Sequence, residues 1–455
     1  MCANSTRGRR AVERRSILKG LGGAGLAALA GCIGTGDAPG SGDGGGDGGG
    51  GGNSSAGGEM AKRIEAWGWD VAAKSLGITA SAYEKEADAT VDVKQIGRSD
   101  MKDKYKSRLL SGSGAPAVAM MESVDAAAWV ATGGLRDIGG WIEEAGLRDA
   151  FVSGKWEPLT KEGKTYALPW DIGPVGTFYR NDVLEQHGVD VSNVETWDQF
   201  IEEGKKLPDG QYMLNLPSND YDGLWRMQYR QLGGQPFTED GKVNLDNETS
   251  VRVARNLKRI HDSGIADDKA SWSSAWFSAF KSGSIAALNA GAWMEGTLRA
   301  ELPGTSGKWR VMKPPAFEAG GSRATNWGGS NLVIADQVEE AAARRGWDYM
   351  KFSLGTKEMQ LAMYEEYGIF PALKAAYEAD QFDRKNEFFG GQRSGRLFAE
   401  IARKIEPYRF TTATPEVTKA INAHFGSMMG GTLSPEEAVA KAAKQVADRT
   451  GRELA

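Results

Sequence analysis

The stretch Tyr166-Ala-Leu-Pro-Trp-Asp-Ile-Gly-Pro-Val-Gly-Thr-Phe-Tyr-Arg-Asn-Asp182 decides how the chain is organised. A short apolar run ends at Pro169, Trp170 and Asp171. Two glycines and a second proline follow, and Thr177-Phe-Tyr179 then reads as a second strand. Pro and Gly punctuate; β-branched and aromatic residues flank. The pattern predicts a backbone that leaves one sheet, crosses a gap and enters another. At the crossing sit an indole face and a carboxylate, the pair needed to hold a polar ring compound. A core Trp beside a turn Asp is the packing alternative.

Upstream, Ile64 to Trp67 alternates as a strand, with Trp67 and Trp69 two apart and pointing the same way. Asp70 follows at the strand end, and a helix is expected over about 71–87. Thr90-Val-Asp-Val-Lys-Gln-Ile96 alternates as a second strand. Ser99 is positioned to cap a helix to Leu110, with Tyr105 and Leu109 on one face. Ala117-Val-Ala-Met-Met121 is the continuous apolar run of a buried parallel strand. It closes on Glu122 and Asp125, with Ser123 as the expected cap of the next helix. Strand–helix–strand alternation argues an α/β fold. In open α/β sheets ligands sit beyond the C-terminal strand ends, where Trp67/Trp69/Asp70, Glu122/Asp125 and Trp170/Asp171 all fall.

The N-terminus reads as an address. Arg14-Arg15-Ser-Ile-Leu-Lys19 is a twin-arginine signature, and the Gly/Ala/Leu run 20–31 has signal length, too short to span as a mature helix. Leu29-Ala-Gly-Cys32 looks like the lipobox of prokaryotic lipoproteins. That resemblance implies cleavage after residue 31, acylation of Cys32 and a place on the outer face of the cytoplasmic membrane. Gly20-Leu-Gly-Gly-Ala-Gly25 matches a dinucleotide fingerprint but lies inside this signal and follows no strand. Residues 33–58 hold fourteen glycines, three aspartates and three serines. Such a segment buries too little to fold, so 32–58 reads as a disordered tether spanning roughly 25–30 Å.

Composition excludes several classes. The two cysteines, Cys2 and Cys32, both precede the body of the protein, so no disulfide framework or thiol nucleophile is expected there. The three histidines, His187, His261 and His424, lack metal-ligand spacing, and no G-x-S-x-G elbow is found. No cofactor or metal is expected. Residues 1–31 carry six Lys/Arg and one acid, which leaves 49 bases and 59 acids, a formal −10. That balance argues against nucleic acid. Asn53 and Asn247 open glycosylation sequons.

Further on, Thr196 with Gln199 forms a capping box whose apolar face includes Trp197, read as core. Asn219 to Trp225 is a polar, aromatic loop leading into a helix, and 251–263 is helical. Trp272-Ser-Ser-Ala-Trp-Phe-Ser-Ala-Phe280-Lys-Ser-Gly283 is an aromatic helix ending on Gly. The strand after it closes on Trp293 and Glu295. Ser434-Pro-Glu-Glu437 is a second capping box with Pro at its first helical position.

The order Leu168-Pro-Trp-Asp, Phe178-Tyr-Arg-Asn-Asp, Thr196-Trp-Asp-Gln-Phe, Phe280-Lys-Ser-Gly-Ser-Ile-Ala-Ala, Gly291-Ala-Trp, Trp327-Gly-Gly-Ser330 and Pro435-Glu-Glu-Ala resembles the family 1 extracellular solute-binding proteins, the sugar-binding lipoproteins of ABC importers. The resemblance covers nearly all of 60–455. It implies a two-lobed periplasmic-binding-protein-like fold (type II) with three interlobe crossings, near 171–175, near Gly283 and near 325–328. The lobes would be 59–171 plus about 285–325, and about 175–283 plus 328–455. A monomer closing by a hinge around a carbohydrate, and then delivering it to a permease, is the implied function, with no catalysis.

Sugars offer hydroxyls and apolar C–H faces; Trp covers the faces, and carboxylates accept strong hydrogen bonds. The substrate-binding candidates are Trp67, Trp69, Asp70, Glu122, Trp170, Asp171, Trp276, Trp293, Glu295 and Trp327, with Cys32 for lipidation. Trp69, Asp125, Tyr221 and Tyr367 lean towards packing. Two rivals stay open: a binder of another solute (polyol, polyamine, peptide), and a membrane-anchored glycoside hydrolase with paired carboxylates.

Overall fold

The computed structural model describes residues 59–455; the signal, Cys32, the tether and the Asn53 sequon lie outside them. β1 (Arg63–Gly68), β2 (Thr90–Gln95) and β3 (Val118–Glu122) run parallel, with the helices Asp70–Glu86 and Arg98–Ser111 between them. Met101, Tyr105 and Leu109 bury one face of the second helix. That helix begins after Gly97 and not on a Ser99 cap, and Ser123 opens a single 3-10 turn. A short hairpin, β4 (Thr160–Lys161) and β5 (Lys164–Thr165), precedes β6 (Ala167–Pro169). The chain then crosses to β7 (Val175–Arg180).

Three more strands assemble around β7 or beside it: β8 (Leu214–Asn215) parallel to β9 (Ala266–Asp267), and β10 (Ala287–Gly291) antiparallel to β7. A bridge between Tyr212 and Ile285 joins the β8 segment to β10. β11 (Trp309–Met312) pairs with the other edge of β7, and β12 (Ser330–Val333) returns to lie between β3 and β6. The first sheet therefore has the order β2-β1-β3-β12-β6, and the second β10-β7-β11.

These pairings correct the expected lobe boundaries. Residues 285–325 are not the first lobe's alone: β10 and β11 hydrogen-bond to β7 in the second sheet, while Ile285, Leu288, Met294, Leu298, Trp309 and Val311 pack into the core shared with β1, β3 and β6. Nor does 328–455 belong wholly to the second. β12 completes the first sheet, and helix Glu340–Gly355 packs on helix Asp70–Glu86, where the Tyr349 hydroxyl donates to the Leu76 carbonyl at 2.8 Å. Gly283 is no crossing; it is the left-handed C-cap (φ 85°) of helix Ser274–Ser282, and the chain continues into β10, which pairs with β7. The strands between 171 and 330 are joined largely by helices, whose local patterns do not show which sheet each strand rejoins.

Two hydrophobic cores result. One gathers β1, β3, β6, β12, most of the buried residues from 276 to 324 and the chain from 332 to 405; the other gathers 175–265 apart from Phe178, with Ala286 and Ala287, and 408–446. Ile405 lies in the first core and Tyr408 in the second, so the chain passes between them once more there. Trp197 is 2% exposed and belongs to the second core. Both expected capping boxes form, Thr196 with Gln199 and Ser434 with Glu437. Asn247 caps helix Glu248–Asp262, and its side-chain amide donates to the Tyr229 hydroxyl (2.9 Å) and the Asn244 carbonyl (2.7 Å). A glycan on that nitrogen would replace one of the two N–H donors. Among the described residues no helix is long and apolar enough to cross a membrane.

Candidate functional site

The two crossings 171–175 and 325–330 run side by side. Trp327 N–H donates to the Gly173 carbonyl (2.9 Å), and Val175 N–H to the Thr325 carbonyl (3.0 Å). Trp293, at the turn from β10 into helix Met294–Glu301, donates its indole N–H to the Trp327 carbonyl at 2.9 Å. Glycine is required where these strands meet. A Cβ at Gly173 would lie 2.0 Å from the Trp327 carbonyl oxygen, and one at Gly291 would lie 2.4 Å from the Trp293 indole nitrogen.

Around this junction four tryptophans surround a cavity of about 100 Å³. Trp272 stacks on Trp293 (ring centroids 5.9 Å, planes at 21°) and leans on Trp276 (5.5 Å). Trp272 is 56% exposed and holds φ at 67°, a left-handed conformation that a bulky residue adopts only at a cost of about 1–3 kcal/mol. Ser273 caps helix Ser274–Ser282 directly after it. Trp276 is buried, and its indole N–H donates to Asn215 Oδ1 at 2.9 Å. Trp327 is half-buried, with the Arg226 guanidinium 5.6 Å from its ring centre.

Polar groups complete the lining. Asn289 on β10 accepts from Thr177 Oγ1 (2.6 Å), which leaves its buried Nδ2 without a partner among the described residues. Asp220 caps helix Tyr221–Gln231 by accepting from Gly223 N–H (3.2 Å). Burial, and then repulsion from Asp222, push its carboxyl up to about 6. An orphan amide donor and a poised carboxylate beside aromatic faces can bind hydroxyls and ring C–H faces together.

Of the ten residues expected from sequence, Trp276, Trp293 and Trp327 meet in this cavity. Trp272, Asp220, Asn215 and Asn289 were not among them. The signal for Asp220 was its place in the polar loop before a helix; Trp272 stands just ahead of a Ser cap, where a Trp reads as helix packing.

Trp170 is a correction: it is fully buried in the first core, not facing a cleft. β12 passes over it, and Trp170 N–H donates to the Ser330 carbonyl. Asp171 is also buried; its Oδ1 accepts from Ser330 N–H at 2.5 Å and so ties the two crossings together. Burial raises its carboxyl, against the pull of nearby Lys155. Trp69 is core at 6% exposure. Trp67 is half-buried, packs edge-on to Tyr105 and bonds Glu65. Asp70 is exposed at the end of β1 with φ 48°.

Glu122 is engaged by Arg98 (2.5 Å) and Lys102 (2.6 Å), and Lys102 also reaches Asp125 (2.6 Å). Burial pushes the Glu122 carboxyl up, but the two cations outweigh it and hold it below the usual range. Glu295 lines a different cavity of about 870 Å³ with Val71 and Tyr367, and is drawn to Arg299 (2.7 Å) and Asn386 (2.7 Å). Among the described residues no group of three or more His, Cys, Asp or Glu is placed to hold a metal.

Residues 79–390 match the family model described as bacterial extracellular solute-binding protein. The chain belongs to that family. It is 29% identical over 402 residues to a lactose-binding protein of Rhizobium radiobacter, covering 84% of this chain and 91% of that one. It is 24% identical to an arabinooligosaccharide-binding protein of Bacillus subtilis, over 78% of this chain and 82% of the relative. Among solved structures it is similar to the ABC-transporter-associated binding protein of B. animalis subsp. lactis in complex with β-1,6-galactobiose (TM-score 0.72, 29% identity, 86% of this chain and 99% of that one). The galacto-N-biose-/lacto-N-biose I-binding protein of Bifidobacterium longum also superposes (TM-score 0.72, 19% identity, 88% and 100%). These neighbours share the two-lobed fold with this solute-binding protein.

Proposed function

We propose that this extracellular solute-binding protein captures a carbohydrate, an oligosaccharide in particular, and hands it to the permease of an ABC importer. One observation carries the reading: four tryptophans ring a cavity that also holds the unpartnered Asn289 amide and the Asp220 carboxylate. Rigid indoles cover sugar faces at low entropic cost, and charge-assisted bonds to hydroxyls supply orientation. The named ligands of the relatives, lactose, arabinooligosaccharides and galactobiose, are of the same chemical class.

In this reading Trp272, Trp276, Trp293 and Trp327 are the platforms, and Asp70 and Glu122, at the ends of β1 and β3, approach on hinge closure. The role is binding without turnover. Cleavage before Cys32 and its acylation would keep the monomeric globule on a Gly-rich leash at the membrane's outer face. Loss of membrane association on Cys32→Ser tests that part.

The central test is a thermal-shift panel of disaccharides and oligosaccharides against polyols, polyamines and peptides. A ligand at 100 times its dissociation constant stabilises by about 2.7 kcal/mol. A shift confined to amines or peptides, or release of sugar from glycosides, would overturn the proposal.

A further inference from the structure

A second, smaller recess lies at the junction of the lobes, lined by Asn326 and Gly328 of a crossing together with Ser123, Lys155, Arg230 and Tyr408. Its volume is about 10 Å³, enough for one water-sized particle. Lys155 and Ser123 come from the first lobe, and Arg230 and Tyr408 from the second.

Its chemistry is one-sided. The Lys155 ammonium, 3% exposed, donates to Ser123 Oγ (3.0 Å) and the Ser330 carbonyl (3.0 Å), which leaves a third N–H. Ser123 Oγ also accepts from Asn331 Nδ2 at 3.2 Å. With both acceptor positions used, its own hydroxyl hydrogen is free to donate. Arg230 has its guanidinium 4.6 Å from the Tyr408 ring centre and no ion pair among the described residues.

Neighbouring carboxylates are committed elsewhere. Glu157 is bound by Arg409 at 2.8 Å, Asp222 by Arg226, and Asp171 by the Ser330 N–H. Among the described residues no Asp or Glu lines the recess. Burial pushes Lys155 down to about 8, against the pull of Asp171, and Arg230 down to about 10, against Tyr408 and Glu157. Two cations that share one dry recess, with Asp171 and Glu157 acting on them only from outside it, are costly.

We propose that this recess is a binding site for a small inorganic anion of halide size, held by Lys155 and Ser123 from one lobe and Arg230 from the other. Because the donors belong to both lobes, the anion bridges them and stabilises the folded chain. The site does not depend on what the tryptophan cavity binds, and its test uses no sugar.

The full chain is freed of halide by dialysis into sodium gluconate. It is then titrated with sodium chloride at constant ionic strength while its Tm is followed. A saturable rise of about 2–4 °C is expected, matched by bromide. Arg230→Gln should abolish that rise, and Arg230→Lys should keep part of it. Sodium glucuronate, whose carboxylate is carried on a ring too large for the recess, should give no rise. A chloride response equal to that of gluconate, an undiminished response in Arg230→Gln, or a rise with glucuronate alone would each overturn the site. Should Arg230→Gln not fold, crystals of the unaltered chain soaked in bromide decide the matter. An anomalous peak between Lys155 and Arg230 supports the site, and its absence rejects it.

Discussion

Trp272 lies nearly parallel to Trp293, centroids 5.9 Å apart, and reaches that position from a left-handed backbone. An exposed, strained indole stacked on a half-buried one is an arrangement that core packing does not require. Trp272→Ala is therefore expected to weaken sugar affinity by about tenfold, a loss of about 1.4 kcal/mol, and to leave Tm unchanged or slightly raised as strain is relieved. Trp293→Ala should weaken affinity by at least 100-fold, because it removes the platform and its bond to the Trp327 carbonyl. Isothermal titration beside thermal melts checks both. Unchanged affinity in both variants would remove the tryptophan cavity from the binding site.

Asp220 gives binding a pH dependence of known sign. Its carboxyl is raised to about 6 by burial and by Asp222. An acid raised in the fold favours the protonated state there, so its contribution to stability falls as pH rises from about 4 to about 6 and is flat above. A sugar hydroxyl donating to the carboxylate favours the ionised form, so affinity should rise through pH 6 and level off near neutrality. Asp220→Asn should flatten the pH profiles of both affinity and Tm. An identical affinity profile in the variant would show that Asp220 does not touch the ligand.

Trp170 and Trp272 invert what their sequence contexts suggest. Trp170→Ala empties a fully buried site and should cost about 3–5 kcal/mol of stability. The molecules that stay folded should bind with affinity within about twofold of the unaltered chain. Chemical denaturation measures the first and titration below the melting temperature the second. A large affinity loss at full stability would return Trp170 to the cleft.

The reason these two residues mislead also explains how far the sequence could be read. Alternation and continuous apolar runs are local, so β1, β2, β3 and the crossing into β7 are legible, as are the capping boxes at Thr196 and Ser434. The burial of Trp170 depends on β12, which arrives 160 residues later to pair Asn331 with Pro169. Likewise, β10 and β11 join the second sheet through Ala287 opposite Tyr179 and Trp309 opposite Arg180, contacts no local pattern encodes. Trp293 and Trp327, which line the cavity, stand out in the sequence because one follows a strand and the other precedes a glycine pair. Asn289 does not, because an Asn within a strand shows its orphan amide only once Thr177 is known to take its oxygen.

The Gly173 contact provides the sharpest separation of site from scaffold. A methyl group there would sit 2.0 Å from the Trp327 carbonyl oxygen and 3.3 Å from the Trp293 indole nitrogen, against backbone that cannot rotate away. Gly173→Ala must push the two crossings apart, at a cost of about 1–3 kcal/mol or more. The same displacement breaks the Trp327 N–H bond to the Gly173 carbonyl and tilts Trp293, so affinity and stability should fall together. Gly133→Ala is the control. Its φ of 70° makes alanine strained, yet among the described residues no atom lies within 4 Å of the added methyl, so it should lower Tm while leaving affinity intact. If Gly173→Ala binds sugar as tightly as the unaltered chain, the junction of the crossings does not set the geometry of the tryptophan cavity.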